Sequence, residues 1–173
     1  MKLLSETKAL ERLTTLISNF KSEISDNYEH LAKSCDTCDV KGSCCLDVHF
    51  VNVHISRLEA VGVRRALNAL PTEIRDRVAA RIDESIVRYE LKHEGDTYIQ
   101  TYACPLFEKG VGCLIHHTGK PVACIAHACY ESRADLPPIE LQHRAERTID
   151  DLNAQTYGRH DAWLPLPLAL RTY

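Results

Sequence analysis

Several things are missing from the 173 residues, and each absence removes a class of function. No window of eighteen apolar residues occurs, so no transmembrane helix is expected. Lys and Arg are scattered among Asp and Glu at a net charge of -3 and a pI near 6.3. With no basic stripe and no polybasic patch, neither a nucleic-acid surface nor a membrane surface is expected. The start, "MKLLSETKALERLTTLISNFKSE", is interrupted by Ser5, Glu6, Lys8, Glu11 and Arg12, which leaves no secretory apolar region and makes the cytoplasm the expected compartment. There is no internal repeat, phosphate-binding glycine loop, Ser-His-Asp set or HExxH pattern. No motif therefore names a reaction, and whether the chain is an enzyme stays open.

What remains is ordinary globular composition, 45% apolar and 26% charged, in a length that suits one domain over residues 1–173. Leu3, Leu10, Leu13, Ile17, Phe20, Ile24 and Leu31 recur at helical spacing and predict an amphipathic helix over 3–33. Asp, Gly and Ser mark 35–47 as a loop, and "VHFVNVHIS" at 48–56 alternates like a short strand. "SRLEAVGVRRALNAL" predicts a second helix starting at Ser56, and a third begins at Thr72 after Pro71 and stops before Gly95. "TYIQTYACPLF" predicts a strand over 97–107, with a strand or hairpin near 97–116 and turns at "EKGVG" and "HTGKP". A short helical start is expected after Pro121, and a C-terminal helix over 138–157 between Pro137-Pro138 and Gly158. The tail "WLPLPLALRTY" is broken by proline and is expected to lie extended. The fold class is thus mainly α with a small β hairpin, its helices supporting irregular cysteine segments at 35–45 and 104–129.

Those segments carry all eight cysteines. The first reads C-x2-C-x5-C-C through Cys35, Cys38, Cys44 and Cys45, the second C-P-x7-C-x10-C-x4-C through Cys104, Cys113, Cys124 and Cys129. A C-x2-C knuckle directs two sulfurs to one side at the separation tetrahedral thiolate coordination needs. In a reducing compartment such spacing is read as metal ligation before disulfides, and clustering of this density argues against thiols that are only small buried hydrophobes. If the backbone at Cys44-Cys45 is extended, the two side chains point to opposite faces and serve different centres. Two four-cysteine centres, or one centre with spare thiols, are both allowed.

These residues resemble the cysteine-cluster proteins with a CxxCxxCC signature, the YkgJ-like family described as putative zinc- or iron-chelating. The likeness runs from Cys35 through Cys45, and in the second half Cys104-Pro105, Cys113-Leu114-Ile115, Pro121 and Cys124 fit the pattern C-P-x-L, C-x-I-Y and R-P-x-x-C-R. The chain departs from it by five residues between Cys38 and Cys44 in place of two, by Lys120 in place of Arg, and by Ile125 in place of Arg after Cys124. The resemblance implies a bound metal or cluster.

Thiolate suits zinc, copper(I) and iron-sulfur alike. Eight sulfurs in two sets favour an iron-sulfur cluster, 4Fe–4S by preference, ahead of Zn(II). Three functions follow. An iron-sulfur protein would serve redox or electron transfer; a structural zinc, contributing roughly 10–16 kcal/mol to folding, would make an interaction module; a reversible thiolate site would make a metal carrier or store. His127, His116 and His117 stand near the second cluster as lesser candidates for ligation, His49 and His54 less so. Asp36, Asp39 and Asp47 read as loop formers, and Tyr98 and Tyr102 as packing residues.

Overall fold

The computed structural model describes residues 3–34, 37, 42–46 and 51–173. Cys35, Cys38, His49, Asp36, Asp39 and Asp47 lie outside the described residues, as does most of the loop over 35–47. The chain is mainly α, as the periodicity predicts. Helix α1 (Glu6–Asn27) opens at Ser5, whose side chain accepts from the Lys8 N–H, and buries Leu10, Leu13, Phe20 and Ile24. It stops short of residue 33, and a 3₁₀ turn follows over Glu29–Leu31. Strand β1 (His54–Ile55) leads directly into α2 (Arg57–Asn68). There Ser56 and Glu59 form a reciprocal capping box, so the N–H groups of Ser56 and Glu59 are both satisfied inside the protein. The Leu58 N–H is taken by Asn153 Oδ1 at 3.0 Å.

Helix α3 (Thr72–Arg88) follows Pro71, the hairpin strands β2 (Phe107–Glu108) and β3 (Gly112–Cys113) pair antiparallel, and α4 (Val122–Ile125) is a single turn after Pro121. Helix α5 (Ile139–Tyr157) runs from Pro138 to Gly158, whose left-handed φ of 78° ends it. The long α1 and α5 pack together, and with Leu58, Val122 and Ile125 they enclose one core. A second core joins α2, α3 and the C-terminus around Ile55, Val63, Val78, Tyr102, Leu106 and Ile115.

Two expectations fail. Residues 97–107 are not a strand: Thr97–Ile99 is a 3₁₀ turn, and only Phe107 enters one. Tyr98 and Ile99 are 64% and 77% exposed, so the alternation of Tyr and Thr faces no partner strand. The tail is also not extended throughout. Strand β4 (Leu164–Pro165) pairs with β1, and α6 (Leu166–Thr172) buries Leu166, Leu168, Ala169 and Leu170. Pro165 caps this helix and Pro167 lies in its first turn, where a missing N–H leaves no bond unmade. Tyr102 clasps the region together: its hydroxyl donates to the Val53 carbonyl and accepts from the Leu166 N–H. Among the described residues, no helix is long and apolar enough to cross a membrane.

Candidate metal centre

The hairpin and α4 carry the second cysteine cluster across the seam between the two cores. Cys104 and Cys113 pack against the α2–α3–α6 core, while Val122 and Ile125, which bracket Cys124, are buried in the α1–α5 core. Backbone bonds fix the register. Cys104 begins a turn whose carbonyl accepts from the Phe107 N–H at 3.1 Å; Phe107 then pairs with Cys113, and Leu114 donates to the Leu106 carbonyl at 3.0 Å. Cys124 donates its N–H to the Pro121 carbonyl at 3.0 Å, in the first turn that the proline starts.

The end of the first cluster is tied to the same place. The Cys104 N–H donates to the Cys45 carbonyl at 2.9 Å. Cys44 and Cys45 are not in extended backbone but in a 3₁₀ turn, Ser43–Cys45, so the reason for sending them to opposite faces does not apply. Their side chains are hydrogen-bonded to each other. Gly42 makes this turn possible. Its φ is +82°, and a Cβ there would sit 1.9 Å from Cε2 of Phe107, so only glycine lets the turn lie on the hairpin's aromatic ring.

The thiols act on one another electrostatically. The Cys45 thiol is pushed far above its usual 9.0 by the hydrogen bond to Cys44, then by burial, then by the charges of Cys104, Cys44 and Cys124. Burial raises Cys104 to about 12, with Cys113 adding to the effect and Arg81 opposing it. Burial also raises Cys113 and Cys124; Cys44 adds to the first, Cys104 and Cys113 to the second, and Lys120 opposes both. Each of the five thiols thus acts on at least one of the others, and the links close into a ring through Cys44, Cys45, Cys104 and Cys113, with Cys124 joined to three members. Compared with protein-family models, curated proteins and solved structures, the chain matches none. The likeness to the CxxCxxCC group therefore stands on the cysteine pattern.

Cys129 is exposed, four residues beyond the end of α4, and its carbonyl accepts the Lys33 N–H at 2.9 Å. The Ala32↔Tyr130 bridge and a 3.0 Å ion pair between Lys33 and Glu131 hold the same two stretches side by side. Thus Cys129 adjoins the stretch that leads, in sequence, into Cys35. Among the described residues, no group of three or more His, Cys, Asp or Glu is arranged to hold a metal ion. The thiols have soft-metal donor chemistry, but the described part of the set is not closed around an ion.

The histidines lie differently. His116 and His117 are exposed and meet edge to face at 4.6 Å, and His127 is exposed two residues beyond the end of α4. His54 is buried: its Nε2 is 2.8 Å from Thr97 Oγ1, its ring stacks on Tyr98 at 3.9 Å, and burial lowers its pKa below 6.5. It is satisfied by those partners.

Two residues that the cysteine spacing does not reveal border the thiols. Glu59 is 1% exposed; it accepts from the Ser56 N–H and hydroxyl and, at 3.5 Å, from the Val122 N–H at the start of α4. Its charge acts on Cys124, and burial raises its carboxyl to about 7. The S-x-x-E spacing of Ser56 and Glu59 is the sequence signal for it. Arg81 of α3 reaches the hairpin, donating from Nη1 to the Phe107 carbonyl at 2.7 Å. A groove of about 490 Å³ runs between α3 and this hairpin, lined by Arg81, Arg88, Tyr89, Cys104 and Phe107, and opens Cys104 to solvent.

Proposed function

We propose that the chain is a metal-binding protein whose clustered thiolates hold an iron-sulfur cluster and serve redox or electron transfer. The observation that carries this reading is that backbone bonds join the 44–45 turn to Cys104 and the Cys104 turn to the hairpin at Cys113, with the Cys124 thiol acting electrostatically on theirs. A tetrahedral zinc and an iron-sulfur cluster each take four cysteines, so the five thiols, with Cys35, Cys38 and Cys129 still to be counted, are enough for a cluster and leave thiols for a second centre. Four of Cys44, Cys45, Cys104, Cys113, Cys124, Cys35, Cys38 and Cys129 would supply its ligands, and the others a second centre or spare thiols. When bound, the cluster supplies one-electron chemistry. The residues of the chain hold it: Gly42 and the hairpin set the sulfur register, and the groove at Cys104 gives a redox partner a side of approach. A reducing, cytoplasmic compartment suits free thiols of this number.

A structural zinc is the second reading, favoured by the position of Cys104 and Cys124 on opposite cores, where one ion would tie the two together. Cys104→Ser and Cys124→Ser test the shared reading. Each should lose most of the metal that the wild-type protein retains through purification without oxygen, while His116→Ala retains it. Full metal content in both cysteine variants would overturn the ligand assignment.

A further inference from the structure

Arg81 is placed oddly for a surface arginine. One end of its guanidinium is spent on the Phe107 carbonyl through Nη1. Nη2 stands 3.6 Å from Glu108 Oε2, an ion pair too long to be a hydrogen bond, and Glu108 is held at 3.2 Å by Arg77 as well. Nε and Nη2 of Arg81 are both buried and have no hydrogen-bond acceptor among the described residues. Buried donors without an acceptor are costly, about 1–3 kcal/mol each, and persist where another partner is expected. Phe107, the residue Arg81 holds, pairs with Cys113 and donates to the Cys104 carbonyl. Cys104 lines the same groove.

We propose that Arg81 is the positioning residue of the thiolate centre, docking the Cys104 hairpin onto α3 and supplying, from Nε and Nη2, the N–H donors and positive charge that metal-bound sulfurs take up. The proposal rests on the reading of the cysteines as a metal site. Several thiolates around a metal centre leave net negative charge, and a guanidinium that lines the same groove as Cys104 offsets it; partners of this kind outside the ligand shell are typically worth 10–100-fold in metal affinity.

The test is titration of the reduced, metal-free protein with cobalt(II) alone, read by the sulfur-to-cobalt charge-transfer band, together with thermal unfolding of the metal-free forms. Arg81→Gln should bind cobalt at least about tenfold more weakly than the wild type, and Arg81→Lys, which keeps the charge, should recover to within about threefold. Glu108→Gln keeps Arg81 and removes its competing carboxylate, so it should bind at least as tightly as the wild type. If Arg81→Gln lowers only the unfolding temperature and leaves cobalt affinity unchanged, Arg81 is a hairpin clamp and the proposal falls. Should the arginine variants fail to fold, a tenfold loss in Glu108→Gln would overturn it equally. A wild-type protein that gives no sulfur-to-cobalt band fails at the metal reading itself, an outcome distinct from both.

Discussion

Replacing Glu59 with Gln should change how stability depends on pH, and the structure sets the size of the effect. Glu59 is buried between the start of α2 and the start of α4, and burial holds its carboxyl at about 7 against 4.5 for the free side chain. The folded chain therefore keeps a proton that the unfolded chain releases between those two values. Stability contributed by this group is present below 4.5, is lost as the pH rises toward 7, and changes little beyond it. Integrated from pH 5 to pH 8, the loss is roughly 2 to 3 kcal/mol. Gln imitates the protonated acid but leaves an amide hydrogen without an acceptor, at a cost of about 1–3 kcal/mol. Glu59→Gln should therefore be the less stable protein at pH 5 and should draw level with or overtake the wild type by pH 8. Urea unfolding at half-unit steps of pH under reductant measures the difference. The shifted thiols of Cys45, Cys104, Cys113 and Cys124 are raised from 9.0 and do not titrate in this window, and His54 contributes equally to both proteins. Two curves that stay parallel to within about 0.5 kcal/mol would refute the assignment of Glu59 as a buried carboxyl near neutrality.

Two further substitutions probe the frame around the thiols. Gly42→Ala puts a methyl group into a left-handed residue and against the Phe107 ring, and should destabilise by about 2 kcal/mol, lowering the unfolding temperature by roughly 4–8 °C for a chain of this size; an unchanged melting curve would show that the turn is not seated on the hairpin. In Tyr102→Phe the Leu166 N–H keeps its 2.9 Å bond to the Val53 carbonyl and both lose only the hydroxyl that joins them, so the cost in urea unfolding should be about 0.5–1.5 kcal/mol. A loss above about 3 kcal/mol would mean that the hydroxyl, and not their mutual bond, is what satisfies those groups.

The longer helices were legible because several signals agreed. In α2 the helical spacing of Leu58, Val63 and Leu67 coincides with the Ser56 start, and in α5 the prolines and Gly158 bracket the apolar face. The tail misled because proline was read as a breaker without regard to position: at the cap and first turn of α6 it costs nothing, and the run of leucines then packs on α2 and α3. At 97–107 alternation pointed to a strand, but alternation carries no information about whether a partner strand exists. The site was legible in composition only. Spacing marked the cysteines, yet nothing in "SCC" indicates a 3₁₀ turn rather than extended backbone, and that turn is what brings Cys44 and Cys45 together. Arg81 lies more than twenty residues from the nearest cysteine, so its contact with the hairpin is a product of tertiary packing.

Metal and acid-labile sulfide content, measured on protein purified without oxygen, tests the central claim most directly. Iron with matching sulfide, and a broad absorbance near about 400 nm from thiolate-to-iron charge transfer, is the predicted result. Protein free of both metal and sulfide, with all eight thiols titrating freely, would contradict it.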